Sequence, residues 1–229
     1  MGRYFFMSLV VILTLHITSC GDNLNSCLDK AENLAEKGKY KEAIAYLNKA
    51  IAIDSEHIPA YINRGAYKSQ MGDYEGAIED YTLVIKKKPG NVLAIVNRGK
   101  NYRRLGDYKK AIEDFDRAIP AKWYYGNGES GIILKNYIDA DYTIPEIRFE
   151  RGIAHFYEGD LEQAHADFHY CINNNALLTD SHYWRGTIFL KLGHQERGCT
   201  DLYKAAELGN DIASKEAELS CEKSTSPAS

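Results

Sequence analysis

The sequence predicts an all-α fold, an α-solenoid of about five helix-turn-helix repeats closed by a C-terminal capping helix. Two observations carry this. The first is a period: Gly38-Lys39-Tyr40, Gly72-Asp73-Tyr74 and Gly106-Asp107-Tyr108 recur 34 residues apart, and Gly159-Asp160-Leu161 and Gly193-His194-Gln195 stand at the same spacing from each other. A fixed period of this length marks a supersecondary unit that buries its apolar face only by stacking on its neighbours. The second is the pattern inside the period. Ala43, Ala77, Ala111 and Ala164 are followed four residues later by Leu47, Tyr81, Phe115 and Phe168. That spacing puts each small and bulky pair on one helix face, where the small residue admits a neighbouring helix and the bulky one fills the core.

The elements follow in order. The turn glycine lets the chain reverse between two helices, and the aromatics Tyr40, Tyr74 and Tyr108 pack near that turn. In the first helix of a repeat, Gly65, Gly99, Gly152 and Gly186 take the small position where helices cross, and Pro89 closes the second repeat. The boundaries are 24–57, 58–91, 92–125, 145–178 and 179–210. The first repeat is degenerate, with Lys30 and Ala31 where the others set an arginine and a glycine; the fifth departs at Gly198 and Leu202. Gly106 and Gly159 are 53 residues apart rather than 34, so extra sequence interrupts the array, expected at 120–144. The glycines there (Gly126, Gly128, Gly131) break helix, while Trp123, Tyr124 and Tyr125 want burial or a partner. Asp211 to Cys221 reads as a last, capping helix after Gly209, and 222–229 as a disordered tail.

These motifs resemble the tetratricopeptide repeat, over about residues 24 to 210. The resemblance implies a right-handed superhelix whose first helices line a concave face that binds a protein or peptide partner. On that face it places Asn63, Val96, Asn97, Lys100, Arg104, Phe149, Phe156, Tyr157, Tyr183 and Trp184, polar to basic at the N-terminal end and aromatic at the C-terminal end. The family's carboxylate clamp, which holds chaperone C-termini, is not matched: Leu28, Glu32 and Leu93 stand where Lys, Asn and Lys are needed, Asn97 stands where Arg is, and only Asn63 fits.

Four repeats carry an arginine just before the crossing glycine and an aspartate sixteen residues on: Arg64 and Asp80, Arg98 and Asp114, Arg151 and Asp167, Arg185 and Asp201. A row of arginines could capture an acidic ligand. However, repeat one lacks both residues together, which points instead to an ion pair tying the two helices of each repeat by bidentate hydrogen bonds.

The first twenty residues read as an address. Arg3 supplies a positive start, Phe5 to Ile17 is apolar but short for a membrane span, and Ile17-Thr18-Ser19-Cys20 follows. This resembles a bacterial lipobox, which implies a lipoprotein signal peptide over 1–19, cleavage before Cys20, acylation of Cys20 and a 20–23 linker. Two or more acyl chains anchor stably, at about 0.8 kcal/mol per buried CH₂. Gly21 in place of an aspartate favours the outer membrane over the inner. Outside the cytosol disulfides form, and Cys199 and Cys221 are symmetric about Asn210, level across an antiparallel hairpin, so a bridge between them is expected.

Chemistry is sparse. Formal charge is −4, without the basic excess of a nucleic-acid binder. His165 and His169 have the i, i+4 spacing of metal ligands, but Ala166 follows the first where a zinc protease sets Glu, and no third ligand can be named. No nucleophile elbow or phosphate loop is present, so no active site, metal or cofactor is assigned. The reading is a non-catalytic, lipid-anchored scaffold of the bacterial envelope. Two alternatives stay open: an enzyme or accessory domain using the 120–144 insertion, and a cytosolic co-chaperone if the signal is false.

Overall fold

A computed structural model describes residues 23–125 and 142–221, with backbone alone for 121–125. The signal segment, Cys20, residues 126–141 of the insertion and the 222–229 tail lie outside the described residues. Within them the chain is eleven helices: α1 (Leu24–Glu36), α2 (Tyr40–Ile53), α3 (Ile58–Gln70), α4 (Tyr74–Lys87), α5 (Val92–Arg104), α6 (Tyr108–Tyr125), α7 (Ile144–Glu158), α8 (Leu161–Asn173), α9 (Leu178–Lys191), α10 (Gln195–Glu207) and α11 (Asp211–Cys221). They pair as five antiparallel hairpins, and every helix also packs on the next. Packing of α6 on α7 carries the stack across the insertion. The first helices of successive repeats also touch one another, α3 on α5, α5 on α7 and α7 on α9, so they line the inner face.

Second helices bury a regular stripe. In α4 it is Ala77, Asp80, Tyr81 and Val84; in α8 it is Ala164, Asp167, Phe168 and Cys171. This i, i+3, i+4, i+7 spacing is one face of an α-helix. The crossing glycines meet the bulky members of the stripe. A Cβ at Gly65 would stand 3.0 Å from the Tyr81 ring, and one at Gly152 would stand 3.0 Å from Phe168. The terminal repeats solve the same contact by compensation: repeat one has the larger Ala31 against the smaller Leu47, and repeat five has Gly198 under Leu202, with Leu190 filling the space beside it. The hairpin turns hold Gly72 at φ +82° and Gly106 at φ +80°, conformations that a Cβ penalises. The aspartate that follows is a helix cap: Asp73 accepts from the Gly76 N–H and Asp160 from the Gln163 N–H. Lys39 and His194 stand at this place in the terminal repeats and provide no side-chain cap.

Each Arg–Asp pair closes bidentately. Arg98 Nε donates to Asp114 Oδ2 at 2.9 Å and its Nη2 to Oδ1 at 2.7 Å, with equivalent bonds from Arg64 to Asp80, Arg151 to Asp167 and Arg185 to Asp201. All four aspartates are buried. The side chains therefore join helices and do not present a row of cations to the groove. The remaining nitrogen, Nη1, reaches back to the preceding repeat, where it meets Asn48 Oδ1 (2.7 Å), Thr82 Oγ1 (3.1 Å), Asp116 Oδ1 (2.6 Å) and His169 Nδ1 (3.0 Å) in turn. One guanidinium thus stitches three helices of two repeats.

The insertion is shorter than the sequence suggests. α6 continues through Pro120 to Tyr125, and α7 begins at Ile144 under a capping box made by Thr143 and Glu146. Pro120 removes the N–H that would bond the Asp116 carbonyl, but a helix tolerates one such loss when packing on both sides holds it. At the other end, Cys199 and Cys221 form a disulfide between α10 and α11 with Cα atoms 5.7 Å apart.

Candidate peptide-binding groove

The inner face has two chemically distinct halves. On the first, α3 and α5 enclose a pocket of about 160 Å³ whose polar lining includes Asn63, Ser69, Gln70, Asn97, Lys100, Asn101 and Arg104. The sequence explains the hollow. Tyr67 and Ile188 occupy the core position equivalent to Asn101 in repeats two and five, whereas repeat three sets a smaller amide there and repeat four Ala154. Asn101 is only 2 % exposed, and its Nδ2 donates to the Asn97 carbonyl at 2.7 Å. Its Oδ1 has no hydrogen-bond partner among the described residues. A buried acceptor left in this state is unusual in a folded protein.

Charge in this half is largely balanced. Glu150 on α7 lies 3.4 Å from Lys100 Nζ and 2.9 Å from Arg103 Nη2. Arg104 instead donates to the Ser69 hydroxyl at 2.9 Å and stacks over Tyr74 at 5.4 Å. Its charge meets no carboxylate among the described residues, which leaves one cation on the wall to steer an anionic group. Tyr142 enters from the far side of the insertion and joins the pocket lining.

The second half is aromatic. Trp184 is the centre: Phe156 lies 5.0 Å from it edge-on, Tyr183 5.5 Å, Tyr157 6.0 Å, and Phe168 stacks beneath it at 6.1 Å. Tyr157 also stacks on Tyr108 at 5.4 Å and is 53 % exposed. Phe149 turns towards Phe168 and packs with the core under this surface. Burial pushes the Tyr183 hydroxyl pKa up, with Glu216 of the capping helix adding to the effect.

The sequence-derived groove residues thus divide. Asn63, Asn97, Lys100 and Arg104 gather around the pocket, and Phe156, Tyr157, Tyr183 and Trp184 form the aromatic surface. Val96 needs correction: it is 0 % exposed and belongs to the core with Ile95 and Phe115. Its helix position borders both faces, and a β-branched side chain with no polar tip goes inward. Sequence reasoning missed Tyr142, which lies in no period, and Asn101, whose repeat position runs Asn33, Tyr67, Asn101, Ala154 and Ile188 and so gives no consistent signal. His165 and His169 stack at 5.8 Å, and no metal-holding group of His, Cys, Asp or Glu exists among the described residues. Cys171 is a free thiol, fully buried and donating to the Pro145 carbonyl at 3.2 Å; burial raises its pKa to about 11, so it is no nucleophile at neutral pH.

Comparison places this architecture among known ones. Residues 24–57, 58–91 and 92–119 match the tetratricopeptide repeat, so the chain carries such repeats and its fold is a tetratricopeptide-repeat solenoid. Among solved structures it is similar to MamA from Desulfovibrio magneticus RS-1 (16% identity, 83% of this chain and 97% of that one, TM-score 0.70). It is also similar to YrrB, described as a TPR protein with an unusual peptide-binding site (19%, 86% and 92%, TM-score 0.65), and to a tetratricopeptide repeat protein from Parabacteroides merdae (18%, 86% and 84%, TM-score 0.55). At these identities the likeness is one of fold. A comparison with curated proteins finds no match.

Proposed function

We propose that the protein is a non-catalytic scaffold that holds an extended segment of a partner protein along its concave face. The observation that supports this most is the pair of surfaces on one face: a polar pocket with an unpaired buried acceptor at repeats two and three, and a half-buried aromatic cluster with Tyr157 exposed at repeats four and five. Polar anchors of this kind fix the register of a peptide, while aromatic area supplies affinity. The peptide-binding site described for YrrB, on a similar fold, supports the same reading. We place the scaffold in the bacterial envelope, lipid-anchored through Cys20, in the outer membrane rather than the inner. The lipobox-like Ile17-Thr18-Ser19-Cys20 supports this, as does a Cys199–Cys221 disulfide suited to an oxidising compartment.

Crosslinking in intact cells tests the groove: a Tyr183→Ala/Trp184→Ala variant is expected to lose the partner bands that the native protein captures, and an unchanged profile would reject the surface. Metabolic labelling with a palmitate analogue tests the anchor: label on the native chain and none on Cys20→Ala is expected, and no label on either rejects lipidation.

A further inference from the structure

The polar half of the groove already holds a side chain of its own. The hydroxyl of Tyr142 donates to Asn97 Oδ1 at 2.8 Å and accepts from Lys100 Nζ at 3.3 Å. The Lys100 ammonium also sits 5.2 Å from the centre of the Tyr142 ring, and the ring packs against the apolar cluster of repeats two and three. A phenol asks for an acceptor, a donor and contact for its ring faces, and this seat supplies all of them.

The seat is nonetheless incomplete. Asn101 Oδ1, in the same pocket and almost wholly buried, lacks a donor among the described residues. Tyr142 has spent its one O–H on Asn97, so it leaves that acceptor unpaired. An extended peptide carries backbone N–H groups beside its side chains and could satisfy it, which would favour the peptide over Tyr142.

We propose that Tyr142 is an internal stand-in for a tyrosine of the partner: the pocket takes a tyrosine-bearing extended segment, which displaces Tyr142 and brings an N–H to Asn101 Oδ1. This deepens the groove reading above and rests on it. The partner therefore competes with a tethered side chain. A short tether gives an effective concentration on the order of 1 mM, so an outside peptide with a Kd of ~100 μM is weakened about tenfold while Tyr142 is present.

The probe is a fluorescein-labelled peptide of residues 139–145 (Asp-Ala-Asp-Tyr-Thr-Ile-Pro), titrated into the full chain by fluorescence polarisation. Tyr142→Ala is expected to bind it about tenfold more tightly than the native chain. Tyr142→Ala/Asn97→Ala, and a peptide with Ala for Tyr, are expected to abolish binding. Tyr142→Phe keeps the ring and removes only the hydroxyl bonds, so a smaller gain is expected; it also serves if the alanine variant folds poorly. Equal affinity in native and Tyr142→Ala chains, no binding to any of them at millimolar protein, or binding indifferent to the peptide tyrosine would each overturn the proposal. If the peptide fails while capture in cells still depends on Trp184, the tyrosine seat falls and the groove reading stands. If the peptide behaves as expected while capture ignores Trp184, the seat stands and the aromatic half of the groove reading falls.

Discussion

The halves of the solenoid on either side of the insertion share one skeleton and differ in almost everything attached to it. Repeats two and three present amides and cations around a hollow; repeats four and five present a cluster of rings. Of the seven histidines, five (His155, His165, His169, His182 and His194) fall after the insertion. In both halves the skeleton is the same arginine, bonded forward to an aspartate and backward to the previous repeat. The contrast teaches that the repeat fixes where a side chain sits, and each copy is then free to choose the chemistry. In a solenoid, stability is close to a sum of repeat and interface contributions, so each half can be perturbed separately and read by amide hydrogen exchange.

The largest effect is expected from Asp167→Ala. Asp167 neutralises two guanidiniums, Arg151 bidentately and Arg148 at 3.4 Å, whereas Asp114 serves Arg98 alone. Removing Asp167 takes the carboxylate from Arg148 and leaves Arg151 with Asp116 alone, at a cost of about 4 kcal/mol. Urea unfolding should show this loss for Asp167→Ala and a smaller one for Asp114→Ala, with the exchange burst confined to the half that was mutated. Equal losses would mean that Arg148 draws nothing from Asp167.

Reduction of Cys199–Cys221 comes next. A loop of 22 residues contributes about 3 kcal/mol by constraining the unfolded chain. α11 is the last helix of the stack and packs chiefly on α10, so dithiothreitol should free the amides of 211–221 and leave α3–α6 protected. Loss of protection in the first half as well would show that the stack unfolds as one unit.

The fold itself was legible in the sequence because the period and the Gly, Ala and bulky positions all serve one backbone-to-backbone contact: Gly152 has to be small because Phe168 is there. The capping helix was legible from Gly209 and the glycine-ended α10. The groove was legible only in part. Side chains with a polar or aromatic tip can be assigned a face from the helix period, but Val96 could not, since its position borders core and groove. Tyr142 lay beyond reach because nothing periodic ties it to Asn97, 45 residues earlier. The backward bonds of the arginines were hidden for another reason: Asn48, Thr82, Asp116 and His169 share a place but no chemical type.

The histidine bias predicts a pH response of one half. Burial lowers the pKa of His155 and, aided by Arg185, that of His165. The unfolded chain then binds protons more readily than the folded one as pH falls below the ordinary histidine value of about 6.5. Stability is therefore full above that pH and declines on acidification. Hydrogen exchange between pH 7 and pH 5 should show loosening of α7–α10 by less than reduction causes, while α4 and α5, which carry no histidine, stay unchanged. His155→Gln/His165→Gln should flatten the profile, and an unaltered profile would assign the response elsewhere.

The smallest effect is expected at the backward bonds, and it separates the halves most finely. Arg98 reaches a neutral hydroxyl, Thr82, whereas Arg151 reaches a carboxylate, Asp116, across the insertion. A hydrogen bond from a charged donor to a neutral acceptor adds about 1 kcal/mol, less when half in solvent, and one between two ionised groups adds more. The Asp116 carboxylate is about half exposed, so much of that gain is screened. Thr82→Ala should cost about 0.5 kcal/mol and Asp116→Ala about 1 kcal/mol, each measured against Asn48→Ala by urea titration. The loss from Asp116→Ala should shrink in 1 M salt, because it is an ion pair near water, while the loss from Thr82→Ala should barely change. The α6–α7 junction has no short turn to hold it, so Asp116, together with the Lys109–Glu158 pair on the same two helices, does there by charge what chain connection does at the other junctions. An Asp116→Asn variant that matched the native protein in both salt conditions would remove charge from that account and leave only the hydrogen bond.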